Sequence, residues 1–193
     1  MAHPQLKPAG TWTYDDLLSL PDDGRRYEII EGELYEMPSP NKAHATTIIN
    51  LIALLLPIVA RLRAQLYTAP FDVFVPGGNP VQPDLLVVLP ESQTRVERRG
   101  VEGPPDLAIE VVSPSNRGRD LLLKRALYER AGVREYWLVD PGARSLEILR
   151  HEAGVFRSDG VVFLGGTAVS PVLGGAEFPL DLVFADVEPG DDA

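Results

Sequence analysis

A chain of 193 residues that is 45% hydrophobic and 24% charged has the size and balance of one globular domain with a real apolar core. It contains no cysteine, which excludes disulfides, thiolate metal ligands and a thiol nucleophile, and fits a reducing, cytoplasmic compartment. The formal net charge of −10, from 18 basic and 28 acidic residues, argues against tight non-specific binding to nucleic acid, which needs a basic footprint.

No charged n-region followed by an apolar run opens the chain, so no secretory signal is expected. TWTYDDLLSLP predicts a short helix capped by Thr13 ahead of Asp15 and Asp16. RYEIIEGELYEM alternates apolar residues around Glu31-Gly32 and predicts a hairpin. Ser39-Pro40 suits an N-cap followed by a first helical position, so a helix is expected over 41–64. Its middle, IINLIALLLPIVA, is apolar on nearly every side. The run falls short of the roughly 18 residues of a membrane span and contains Asn50 and Pro57. A buried central helix, or one that joins two copies of the chain as a homodimer, is expected in place of a membrane segment.

YTAPFDVFV and QPDLLVVLP predict strands separated by the turn-rich PGGNP. VERRGVEGPP reads as a polar loop, and DLAIEVVS as a strand closed by Ser113-Pro114. RDLLLKRALYERAG predicts a helix with Gly132 just past its last turn. VREYWLVD is a further strand, and RSLEILRH, GVFRS and GVVFL suggest antiparallel pieces after it. Residues 1–12 and 187–193 are expected to fray. With no repeat and no linker in view, 1–193 reads as a single α/β domain. It should hold a mixed central sheet flanked by helices, an N-terminal hairpin and extra C-terminal strands.

Two acids interrupt apolar strands: Asp84 in QPDLLVV and Glu110 in IEVVSPS. These strands lack clean alternation and read as buried on both faces. A buried unpaired carboxylate costs several kcal/mol or more, so Glu110 needs either an arginine or a metal ion. If the two strands are neighbours, the carboxylates converge and require a cation. Mg²⁺ suits oxygen ligands and takes one or two protein carboxylates. Lysine is rare here, at Lys7, Lys42 and Lys124 only, against fifteen arginines. Lys124 follows the Glu110 strand on a helix, with Asp120 and Tyr128 on its face at i−4 and i+4. Between Ser113 and Arg130, five bases (Arg117, Arg119, Lys124, Arg125, Arg130) stand against Asp120 and Glu129. Taken singly, Lys124 reads as a solvated helix charge, and Tyr128 and Trp137 as core. A structural Glu110–arginine pair stays open.

VQPDLLVV, RYEIIEGE and DLAIEVVSPSNRGRDLLLKRALYERAGVREYWLVD resemble the Uma-type endonucleases of the PD-(D/E)XK, restriction-endonuclease-like superfamily. The resemblance runs from about Tyr14 to Asp186. It implies a Mg²⁺-dependent phosphodiesterase site, with Mn²⁺ able to substitute, and nucleic acid as substrate, DNA foremost. Carried over, Pro83-Asp84 matches the PD and Glu110 the (D/E), both as metal ligands. The superfamily lysine falls on Val112, and Lys124 takes its place. Glu28 and His44 match positions the family keeps polar, and His44 would aid metal or phosphate binding. Arg117 and Arg119 would grip flanking phosphates. Two other readings fit the same residues: a nuclease-fold binding module without catalysis, and an oligomeric structural protein.

Overall fold

The computed structural model describes residues 7–8, 10–37, 39–75, 80–112 and 120–188. Arg117, Arg119 and Ser113-Pro114 lie outside the described residues. Helix α1 (Tyr14–Leu18) starts on a capping box, with Thr13 and Asp16 satisfying each other's backbone N–H. Strands β1 (Arg26–Ile30) and β2 (Glu33–Met37) then pair antiparallel. Glu31 and Gly32 both take positive φ, 54° and 76°, as a two-residue hairpin turn demands. A Cβ at Gly32 would lie 2.5 Å from the Gly10 carbonyl, so only glycine fits.

Helix α2 (Lys42–Leu62) is capped by Asn41, whose Oδ1 accepts the His44 N–H at 2.9 Å. The start expected at Ser39-Pro40 is thus corrected: an asparagine side chain that reaches an orphan N–H makes the better cap. The helix ends where Arg63 turns left-handed. It buries one stripe, Ala43, Thr47, Leu51, Leu55 and Val59, and leaves Ile49 66% and Leu56 53% exposed. Of the two expected alternatives, a central buried helix is therefore corrected to one that covers a single face. At 21 residues it is long and apolar enough, by length and composition only, to cross a bilayer. Its buried stripe packs against the sheet.

The main sheet is six-stranded, in the order β11-β10-β9-β8-β5-β3. These are β3 (Gln65–Thr68), β5 (Leu85–Val88), β8 (Leu107–Val111), β9 (Glu135–Asp140), β10 (Ser145–Glu152) and β11 (Val155–Phe163). Only β8 and β9 pair parallel, so the sheet is mixed as expected. YTAPFDVFV divides into β3 and β4 (Asp72–Phe74), which enter different sheets. The expected polar loop VERRGVEGPP holds β6 (Arg95–Val96) and β7 (Gly100–Glu102), which complete a small sheet with β4. GVFRS and GVVFL are one strand, β11. The chain finishes with a hairpin of β12 (Thr167–Ser170) and β13 (Ala176–Pro179), then a short helix over Leu180–Val183.

Alternation along β8 sorts the core into two layers. Leu107, Ile109 and Val111 face α2 together with Trp137 and Phe178. Ala108 and Val112 face the other way, with Tyr128, Tyr136 and Ile30. On that second face the crossover to β9 includes a π-helical turn, Asp120–Lys124, which continues as α3 (Arg125–Ala131) and closes on Gly132. Both ends are tied down further out than expected. The Trp12 N–H donates to the Gly32 carbonyl at 2.9 Å, and Val187 is buried.

Candidate active site

Asp84 sits one residue before β5. The antiparallel register pairs Leu85 with Ile109, so the next step along the ladder brings Asp84 opposite Glu110, the neighbour relation that convergence requires. Asp84 Oδ2 accepts the Val111 N–H at 2.8 Å and lies 3.3 Å from His44 Nε2. Its other oxygen, Oδ1, has no partner among the described residues. The side chain is 20% exposed.

Glu110 points to the α3 face and is buried. Lys124 Nζ lies 3.0 Å from its Oε1 and 3.1 Å from its Oε2, and the Tyr128 hydroxyl donates to Oε1 at 3.0 Å. The same ammonium lies 3.2 Å from Glu28 Oε2. Lys124 is wholly buried. This answers, among the described residues, what a strand carboxylate does in an apolar layer: it meets an ammonium and a phenol delivered from the next helix. Burial, then the Glu110 and Glu28 carboxylates, push the Tyr128 hydroxyl well above its ordinary pKa, so it stays protonated and donates.

Local structure explains the convergence. Lys124 closes the π turn, the kind of widened turn that concentrates at functional sites, and Tyr128 follows four residues later on the same helical face. Val112, where the superfamily pattern carries its lysine, is buried in the apolar layer with Tyr128. Glu28 enters from the hairpin and is fixed from behind: the Gln82 N–H donates to its Oε1 at 2.9 Å. The Gln82 side chain donates to Asp72, which also accepts from the Tyr14 hydroxyl.

The family description "Putative restriction endonuclease" (Uma2) matches residues 14–182. The chain belongs to the Uma2 family. Among solved structures, this Uma2 protein is similar to one described as "a putative nuclease belonging to DUF820 from Anabaena variabilis ATCC 29413". The two share 19% identity at a TM-score of 0.73, over 90% of this chain and 97% of the other, a likeness of fold. No curated protein matches.

The sequence-picked residues fall into two contacting groups. Glu28, Glu110 and Lys124 form one, and Asp84 with His44 forms the other. Val111, directly after Glu110, bridges them through its N–H. Among the described residues, no three His, Asp or Glu side chains are gathered closely enough to hold a metal ion. The donor chemistry still suits a hard divalent ion, which takes one or two protein carboxylates and keeps its waters. The open Oδ1 of Asp84, across the ladder from Glu110, is the atom that fits. Two participants escaped the sequence reading. The Tyr128 hydroxyl was legible only as a residue sharing Lys124's helical face. The Gln82 backbone donor left no signal, because any residue type supplies an N–H.

Proposed function

We propose that this Uma2 protein is a divalent-metal-dependent endonuclease that hydrolyses phosphodiester bonds in nucleic acid, with DNA the first substrate to test. One observation carries the reading: a fully buried ammonium, Lys124, sits between Glu28 and Glu110, and across the ladder from Glu110 stands Asp84, whose Oδ1 has no partner among the described residues. Asp84 and Glu110 would hold Mg²⁺, or Mn²⁺ in its place. A divalent ion there supplies Lewis acidity to the scissile phosphate and acidifies water. The chain's own groups do the rest. Lys124 brings positive charge to the phosphate as negative charge builds in the transition state, in a site dry enough for that charge to count. Glu28 and Tyr128 position Lys124 and Glu110. His44 orients Asp84, and Arg117 and Arg119 would grip flanking phosphates. The absence of cysteine supports a cytoplasmic place for this activity.

A homodimer through the outer face of α2 at Leu56 belongs to the same proposal, supported by the 53% exposure of that residue. A second reading, a binding module without catalysis, is favoured by the pairing of both Glu110 oxygens with Lys124. Incubation of supercoiled, linear and single-stranded substrates with Mg²⁺ or Mn²⁺ separates the two. Cleavage that vanishes in folded Asp84→Asn and Glu110→Gln supports the nuclease. Undiminished cleavage in either variant overturns it. No cleavage by the wild type, with metal raising its melting temperature, leaves the binding module.

A further inference from the structure

On the α2 side of Asp84 a cavity of about 310 Å³ opens between the hairpin, the first turns of α2 and the end of β3. One wall is Ile48, Ile49 and Ile52, and the polar end carries Asp84, His44 and Arg26. The Arg26 guanidinium has no ion pair among the described residues. The cavity is thus continuous with the candidate site through Asp84 and His44, and its composition is divided between an apolar wall and one available cation.

We infer that this cavity receives a single unpaired nucleotide of the substrate, its base against the isoleucine wall and a phosphate at Arg26, so that the preferred substrate is single-stranded or carries an unpaired nucleotide at the cut. The inference rests on the nuclease reading for its substrate class. Size selects one nucleoside: the volume lies at the low end of small-molecule sites, and a stacked base pair cannot enter it. Apolar side chains are a normal platform for an unstacked base. Charge points the same way. A chain of net charge −10 gains little by tracking a long phosphate backbone, whose affinity grows with every cation engaged. A pocket that takes up base surface beside one guanidinium gives affinity without such a track.

The test is fluorescence anisotropy in EDTA, with a short labelled deoxyoligonucleotide offered single-stranded and as a perfect duplex. Ala45 is exposed on the pocket's edge, so Ala45→Phe fills the cavity without touching the core. The single strand should bind about tenfold more tightly than the duplex, a difference of about 1.4 kcal/mol. Ala45→Phe should erase that preference. Arg26→Ala, at an exposed strand position, should flatten the salt dependence of single-strand binding by about 0.7 in log–log slope, the value of one phosphate contact. Equal affinity for the two forms, no detectable binding of either, or a preference untouched by both variants overturns the inference. Cleavage of the same oligonucleotides in Mn²⁺ is scored separately. A duplex cut equally well by wild type and Ala45→Phe removes the pocket and leaves the nuclease. Pocket-dependent binding with no cleavage of any form removes the nuclease and leaves the pocket.

Discussion

Two buried carboxylates lie on adjacent parallel strands, Glu110 on β8 and Glu135 on β9, and the fold treats them in opposite ways. Their register places Leu107 beside Glu135 and Glu110 beside Leu138, so by alternation they point to opposite faces of the sheet. Glu110 is held by an ammonium and a phenol on the α3 face. Glu135 accepts its hydrogen bonds on the α2 face from neutral donors, the Trp137 indole N–H at 2.7 Å, the Ser170 hydroxyl at 2.5 Å and the Val172 N–H at 3.2 Å, with the charge of Arg150 a weaker attraction. Burial pushes the Glu135 pKa up, against the pull of those hydrogen bonds. It ties the C-terminal hairpin to the sheet. The contrast separates a carboxylate used as a structural acceptor from one kept in a charge cluster beside an open oxygen.

The most damaging change should be Lys124→Met. It strands Glu28 and Glu110 without their cation, and breaking a buried pair costs about 3–5 kcal/mol. In a domain of this size each kcal/mol shifts the melting temperature by roughly 2–4 °C, so calorimetry should find a fall of about 10 °C. Adding Glu110→Gln to Lys124→Met should restore part of it. A melting curve unchanged by Lys124→Met would dissolve the contrast between the two carboxylates.

Asp84→Asn should act on activity and spare the fold. Under the nuclease reading, cleavage falls by at least about a hundredfold, a loss typical of removing a group that acts in the transition state. The variant's melting curve should stay close to wild type, because Asp84 is partly exposed.

Glu135→Gln should do the reverse, lowering stability by about 1–2 kcal/mol through one mismatched donor while cleavage persists. Its pH dependence sharpens the comparison. Because the folded pKa of Glu135 is raised, its contribution is fully present below the ordinary glutamate pKa and is lost as pH rises through the folded value. Urea melts should show wild type gaining most over Glu135→Gln at acidic pH, with the gap narrowing as pH increases. A gap that widens with pH would mean Glu135 is stabilised as an anion.

The smallest effect is expected at the rim of the charged cluster. Asn41→Ala removes the α2 cap and should cost about 1 kcal/mol, read as a modest shift in denaturation midpoint. It also frees the His44 backbone N–H that Asn41 holds.

Much of the candidate site was legible because acids are rare in apolar strands. Asp84 and Glu110 stood out against QPDLLVV and IEVVSPS, and Lys124 stood out in a chain that otherwise uses arginine. Glu135 carries the same kind of burial yet drew no notice, since it opens its strand beside Arg134, where a charge looks solvated. Arg134 in fact turns to Asp106 at 3.0 Å. The hairpin and the helix after Glu110 could likewise be read locally. The break in YTAPFDVFV could not, because β3 and β4 differ only in which distant strand they pair with.

From its own sequence the chain determined several of its element ends, through Thr13 as a cap, Glu31-Gly32 as a turn and Gly132 as a stop, and which acids interrupt its apolar strands. Only the tertiary structure decided which partner each carboxylate meets. A hydrogen-bond or ion-pair partner is chosen by sheet register and helix placement, and these bring Lys124 to Glu28 and Glu110, Asp84 to Val111 and His44, and Glu135 to Ser170 across gaps in sequence that no local pattern encodes.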